Sequence, residues 1–202
     1  MKSLAKEQIR GKIWILFASY VIVFFISGVL VSVSRPRFVN IGSVLDAIIA
    51  PAFQIGIIMI FLKLANDGVK PKVEDVFKGF NIFGKALWLD VITSVFVFLW
   101  SLLFFVPGII KGISYSMAPY ILSENQSMTA REAINESKRI MEGHKMDAFV
   151  LGLSFIGWIF LVAITLGFAG IYVIPYIQAT FVNFYNFVKM PLSAERNMGV
   201  EL

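Results

Sequence analysis

The feature that most constrains this chain is a run of 21 residues without a charge, Ile13 to Val33, followed by further apolar segments of similar length. A helix rises about 1.5 Å per residue and the hydrocarbon layer of a bilayer is about 30 Å thick, so about 20 apolar residues cross it. A backbone inside hydrocarbon has no water to bond, which leaves the helix as the structure for such a run. Composition agrees: 58% of the 202 residues are hydrophobic, 15% are charged, and the mean hydropathy is +0.79. A soluble domain needs more polar surface than that. Lys2, Lys6, Arg10 and Lys12 precede the first run and Ser32-Val33-Ser34 ends it, an arrangement that a signal peptide shares. Signal cores are about 7 to 15 residues long, so the run is read as an uncleaved first span.

Six spans are expected: Ile13 to Val33, Val44 to Leu64, Ala86 to Val106, Ile109 to Leu122, Ala148 to Phe168 and Ile171 to Val188. The fourth is short, so the turn assigned to Pro107-Gly108 is expected to lie below the membrane surface. Two segments between spans read as amphipathic helices. Val73, Val76, Phe77 and Phe80 recur at helical spacing, and Ala130, Ala133, Ile134, Ser137, Ile140, Met141 and His144 form a second apolar face behind a capping box at Thr129 and Glu132. The fold class expected is therefore all-α, a polytopic helical membrane protein.

Orientation follows from charge. With the N-terminus inside, fifteen of the 18 Lys and Arg residues fall on the cytosolic side and three, Arg35, Arg37 and Lys111, fall outside. Lys and Arg favour cytosolic loops, so both termini are expected in the cytosol. The net charge of +5 then reflects topology, and no nucleic-acid partner is inferred. Both amphipathic helices would lie where basic side chains meet anionic headgroups.

A repeat is also expected. Ala86 to Gly108 and Ala148 to Gly170 have equal length, and each follows an amphipathic segment. The single membrane domain 1–202 divides on this reading into an N-terminal hairpin (1–65), two units of amphipathic helix plus hairpin (66–125 and 126–190) and a polar tail (191–202). Copies that begin and end on the same side are parallel repeats, related by an axis along the membrane normal.

The second half carries Pro107-Gly108-Ile109, Tyr115-Ser116, Ser137 with Met141, Gly143 and Lys145, Ser154-Phe155-Ile156-Gly157-Trp158, Pro175-Tyr176 and Phe184-Tyr185 in one order. In this it resembles an uncharacterised bacterial family of multi-pass membrane proteins, a domain of unknown function loosely similar to the membrane domain of glycerophosphodiester phosphodiesterases. The match covers about Pro107 to Tyr185. The resemblance implies a multi-pass protein of the bacterial cytoplasmic membrane and brings no activity, cofactor or residue role with it. No segment is long enough for the hydrolytic domain of those phosphodiesterases.

Ionisable and polar groups near or within spans are the candidates for chemistry, because hydrocarbon penalises them. Asp46 and Lys111 fall near the outer face and could each reach water on its own or pair across neighbouring spans. Asp90, one turn into the third span, could be met by Lys63, Lys85 or Lys189, or could handle a proton or cation. Gln54, Ser116 and Asn183, with Gln178 and Thr180, could line a cavity or bond between helices. Lys138, Arg139, His144 and Lys145 are the candidate lipid-interface positions. The chain has no cysteine and one histidine, so no cofactor or metal is expected. With no phosphate loop, paired carboxylates or nucleophile beside a base, the expectation is a non-enzymatic protein. Its partners would be membrane lipids and possibly another protein, in an accessory or membrane-organising role. The alternative is a permease-like protein for a small or lipid-like solute. A cavity lined by Gln54, Asp90, Ser116 and Asn183 would favour the second reading. A solid bundle with exposed amphipathic helices would favour the first.

Overall fold

The structure is a computed structural model that describes residues 2–32, 41–68, 71–103 and 105–197. The connection holding Arg35 and Arg37 and the end of the polar tail lie outside the described residues. The described residues are mainly helical, with no strand among them. A short helix α1 (Lys2–Ile9) precedes α2 (Ile13–Ser32) and α3 (Ile41–Asn66). A 3₁₀ helix (Val73–Ile82) then leads into α4 (Phe83–Leu103), α5 (Phe105–Tyr115), α6 (Ala118–Glu124) and α7 (Ala130–Ile140). The chain finishes in α8 (Lys145–Leu153), α9 (Ile156–Ile164) and α10 (Gly170–Asn197).

Four runs are long and apolar enough to cross a membrane: Ile13–Ser32, Ile41–Asn66, Val73–Leu102 and Lys145–Ile164. They match the first, second, third and fifth expected spans. Of these four, α3 is the most deeply buried, whereas the runs Ile13–Ser32 and Lys145–Ile164 leave most of their surface outside the bundle. Phe24 (80% exposed), Phe98 (66%) and Phe160 (64%) point outward, an arrangement that suits hydrocarbon and not water.

The fourth and sixth expected spans are built differently. Pro107-Gly108 is not a turn but part of the first turn of α5, where a missing proline N–H costs no helical bond. Gly108 meets α4 there, since a β-carbon on it would stand 2.2 Å from Ser101 Oγ. The break falls instead at Ser116-Met117, where Ser116 turns its hydroxyl onto the Ile113 carbonyl at 2.7 Å and α6 restarts with Pro119 in its first turn. The sixth is one long helix, α10, whose apolar residues are diluted by Gln178, Thr180, Asn183 and Asn186. The fifth run is continuous in direction but interrupted at Ser154-Phe155, where Ser154 Oγ donates to Leu151 O at 2.5 Å. The two hairpin units therefore break at different places: the return arm of the first and the outgoing arm of the second.

Neither amphipathic segment is a free surface helix. The 3₁₀ helix packs on α3 with Val76, Gly79 and Ile82 buried, while Phe77 and Phe80 stay partly exposed against Phe53. Helix α7 opens with the expected capping box, Thr129 accepting from Glu132 N and Glu132 accepting from Thr129 N. Its face Ala130, Ala133, Ile134, Ser137 and Ile140 is buried, and Ser137 Oγ donates to Ser114 O at 2.8 Å.

Polar contacts collect one end of the bundle. Lys12 Nζ donates to Gly68 O at 3.5 Å, Asn186 Nδ2 to Asn66 Oδ1 at 2.7 Å, and Lys85 Nζ to the carbonyls of Gln126 (2.6 Å) and Ser127 (3.0 Å). Glu124 takes the Tyr185 hydroxyl at 2.6 Å and a short contact from Lys189. The lysines so gathered, Lys12, Lys85 and Lys189, are among those that the charge count assigns to the cytosol.

Candidate functional site

Beside α3, where Pro51 sits inside the helix, a recess of about 350 Å³ opens between α3, α4, α5 and α6. Gln54 of α3, Asp90 and Thr93 of α4, Tyr115 of α5, Ser116 of the break and Tyr120 of α6 supply its polar groups. The local reasons are visible in the sequence. Asp90 and Thr93 are three residues apart and share a helix face. Gly112 keeps the α5 wall low, and the break at Ser116-Met117 turns α6 across one end. Tyr120 is held by Gln178 of α10, whose Nε2 donates to its hydroxyl at 3.5 Å, and by stacking on Tyr185 at 5.8 Å between ring centroids.

Asp90 is the chemical centre of this recess. The three lysines expected within its reach are engaged elsewhere: Lys85 on the 126–127 carbonyls, Lys189 on Glu124, and Lys63 on Asp75 at 3.7 Å. Asp75 also takes Lys78 in a short contact. Asp90 forms no hydrogen bond or ion pair with any described residue. A wall carboxylate without a protein cation can hold a ligand's cation or a proton. Gln54 likewise turns its amide to the recess without a described partner.

The remaining candidates disperse. Asn183 leaves the recess and donates to Gln8 Oε1 at 2.8 Å, tying α1 to α10. Thr180 bonds back to Tyr176 O at 2.8 Å within its own helix. Asp46 and Lys111 do not pair: among the described residues no ion pair joins them, and the Lys111 ammonium lies 5.0 Å from the Trp100 ring centre. Both are partly buried, Asp46 on α3 and Lys111 on α5. Trp158 packs inward on Tyr176 (5.6 Å) and Tyr172 (6.5 Å).

The interface positions also separate. Arg139 is committed to Glu136 by two bonds of 2.8 and 3.1 Å. His144 Nδ1 lies 3.0 Å from Asp147 Oδ2, with its ring edge-on to Phe187. Lys145 begins α8. Lys138 touches Asn135 Oδ1 at 3.3 Å and lies 5.5 Å from the Tyr115 ring centre. Glu132, outside every apolar run, has its carboxyl held below the usual range by the Thr129 backbone N–H and hydroxyl, with Lys85 adding to the effect.

Sequence reasoning missed Thr93, Tyr115 and Tyr120 as residues of this recess. Thr93 could have been found from its spacing to Asp90. Nothing local marks the tyrosines, which reach the recess only because α5 and α6 fold back on α3 and α4.

No curated protein and no solved structure matches this chain. These comparisons do not show the likeness to the membrane domain of glycerophosphodiester phosphodiesterases. A family model described as a protein of unknown function, DUF975, matches residues 1–111 and 102–191, nearly the whole chain, and the chain belongs to that uncharacterised family.

Proposed function

We propose that this chain is a non-enzymatic, permease-like protein of the bacterial cytoplasmic membrane that takes a small cationic solute into the recess at Asp90. One observation carries the reading: a carboxylate without a partner among the described residues, on the wall of a polar recess among apolar helices. Asp90 is exposed at the recess on a run apolar enough to cross a membrane, where an unpaired charge is costly, so a binding partner from outside the chain gives it a role. Gln54, Thr93, Ser116 and the two tyrosines add hydrogen-bonding groups that a hydroxylated or amino solute would use. The recess lies within the first hairpin unit and against α3, with only Phe181 contributed by the second unit. Passage between two parallel repeats is therefore not the route this reading uses.

The competing reading is an accessory protein whose cytosolic amphipathic helices contact lipid headgroups or a partner. The buried faces of the 3₁₀ helix and α7 weigh against it, because those apolar residues are used inside the bundle. The N-in, C-in topology with six passes is part of the proposal. It is supported by the clustering of Lys12, Asn66, Lys85, Glu124 and Lys189 at one end.

The test is native mass spectrometry of the full chain from lipid nanodiscs, compared with Asp90→Asn. A small cationic molecule retained by the wild type and lost from the variant, with equal membrane expression, is the expected result. A wild type that carries only a protein partner, or the same small molecules as Asp90→Asn, overturns the proposal.

A further inference from the structure

On the far side of α4 from Asp90, a second groove of about 490 Å³ runs between α4 and α7. Its α4 wall is apolar and faces outward: Trp88 is 56% exposed, Val95 51% and Phe96 47%. Its α7 wall is polar. Arg131, Asn135 and Lys138 stand at i, i+4 and i+7 on one helix face, about 10 Å from first to last. The charges on that wall are not neutralised by the acids beside them. Glu132 is engaged in the cap at Thr129 and Glu136 in the pair with Arg139. Arg131 has no hydrogen bond or ion pair with a described residue, and Lys138 is held by an amide and an aromatic ring, neither of which carries negative charge. The groove thus sets a cationic wall beside an apolar strip, and an occupant that matches both carries negative charge and hydrocarbon.

We infer that this groove binds one anionic phospholipid, with the headgroup phosphate between Arg131 and Lys138 and an acyl chain along Val91, Val95 and Phe96. Arginine supplies a planar fork of donors that matches phosphate oxygens, and lysine a movable point charge. Asn135, between them, adds an amide donor for the headgroup. Trp88, 56% exposed, lines the same groove, and an indole suits a place where apolar and charged groups meet. The inference is independent of the recess, since it concerns the opposite face of α4 and needs neither Asp90 nor transport.

Brominated acyl chains quench tryptophans that they touch, so Trp88 reports occupancy. The full chain is reconstituted in nanodiscs of phosphatidylcholine containing brominated phosphatidylglycerol or, separately, brominated phosphatidylcholine at the same mole fraction. The Trp88 signal is the difference between the wild type and W88F. Each basic side chain near an anionic headgroup is worth about a fivefold gain in binding, so the wild type should prefer phosphatidylglycerol by at least about tenfold. R131Q/K138Q should bring that preference close to unity, and R131K/K138R, which keeps both charges and checks folding, should retain most of it. Equal quenching by the two lipids or a preference unchanged in R131Q/K138Q overturns the inference. So does an absence of Trp88 quenching by any lipid, which would mean that another copy of the chain or a protein partner covers the groove. Loss of the preference on adding inorganic phosphate at millimolar concentration would point to a free-anion site and overturn it as well.

Discussion

Gly79 of the 3₁₀ helix lies directly on Gly56 of α3: a β-carbon at Gly79 would stand 2.8 Å from the Gly56 nitrogen and 1.8 Å from the Ala52 carbonyl oxygen. The reverse is equally tight, with a β-carbon at Gly56 1.8 Å from Val76 O. Two backbones in contact leave no flexible atom to move aside. This is the small-residue packing through which helices associate closely in membranes. Gly79→Ala should therefore lower stability by about 2 kcal/mol or more, seen as a lower thermal midpoint in detergent. Gly84→Ala, where a β-carbon meets nothing within 4 Å, is the control and should be neutral or slightly stabilising. Equal midpoints for the two variants would show that the contact is not close-packed.

Leu166 is the one non-glycine residue with positive φ among those described, at +50°. It ends the apolar run in a paired cap: Gly167 N donates to Val162 O at 2.8 Å and Leu166 N to Ala163 O at 3.2 Å. That position favours glycine, because a side chain there crowds the following carbonyl. Leu166→Gly should raise stability by about 1 kcal/mol. The measurement is the thermal midpoint, and a fall would mean that the exposed leucine contributes more to its surroundings than the backbone strain costs.

The capping box of α7 ties stability to acidity. The carboxyl of Glu132 is lowered in the folded chain by the Thr129 N–H, so it binds a proton less readily folded than unfolded. Its contribution is complete above the ordinary glutamate value of about 4.3 and is lost as pH falls through the lower folded value. Glu132→Gln should flatten the acid limb of a stability profile below about pH 5. Thr129→Ala should cost about 1 kcal/mol at neutral pH. An acid limb unchanged in Glu132→Gln would assign it to other carboxylates.

Docking of α1 rests on the Asn183–Gln8 bond, on Ala5 and Ile9, both 0% exposed, and on Lys2 and Lys6 above the Phe155 and Tyr176 rings at 4.7 and 5.7 Å. Asn183→Ala leaves the Gln8 amide without its donor and should cost about 1 kcal/mol. Hydrogen exchange of amides 2–9 should speed up about fivefold, with α3 unaffected. Uniform acceleration across the chain would instead indicate a global loss.

Much of the architecture was legible because hydropathy acts locally. The four long apolar runs, the box at Thr129 and Glu132 and the buried face of α7 follow from spacing alone, since each depends on residues within two turns of one another. The expected turn at Pro107-Gly108 was not legible as a helix start. Proline and glycine mark a turn and a first helical turn equally well, and only the seat of Gly108 on Ser101 distinguishes them. The possible pairings Asp46–Lys111 and Asp90 with a lysine are not made among the described residues, for a related reason. Charge and reach decide what is possible, whereas the partner is chosen by competition among groups distant in sequence.

By itself, then, the sequence determined that this chain is helical, where its longest apolar helices run and which polar groups fall near them, because a backbone in hydrocarbon must bond to itself. Only the tertiary structure decided that Lys63, Lys85 and Lys189 are taken by Asp75, the 126–127 carbonyls and Glu124, leaving Asp90 without a partner among the described residues in a recess beside Tyr115 and Tyr120. It also decided that Arg131 and Lys138 face the apolar wall of α4. Both outcomes depend on how helices far apart in the chain meet, and no local pattern encodes the order in which competing partners are satisfied.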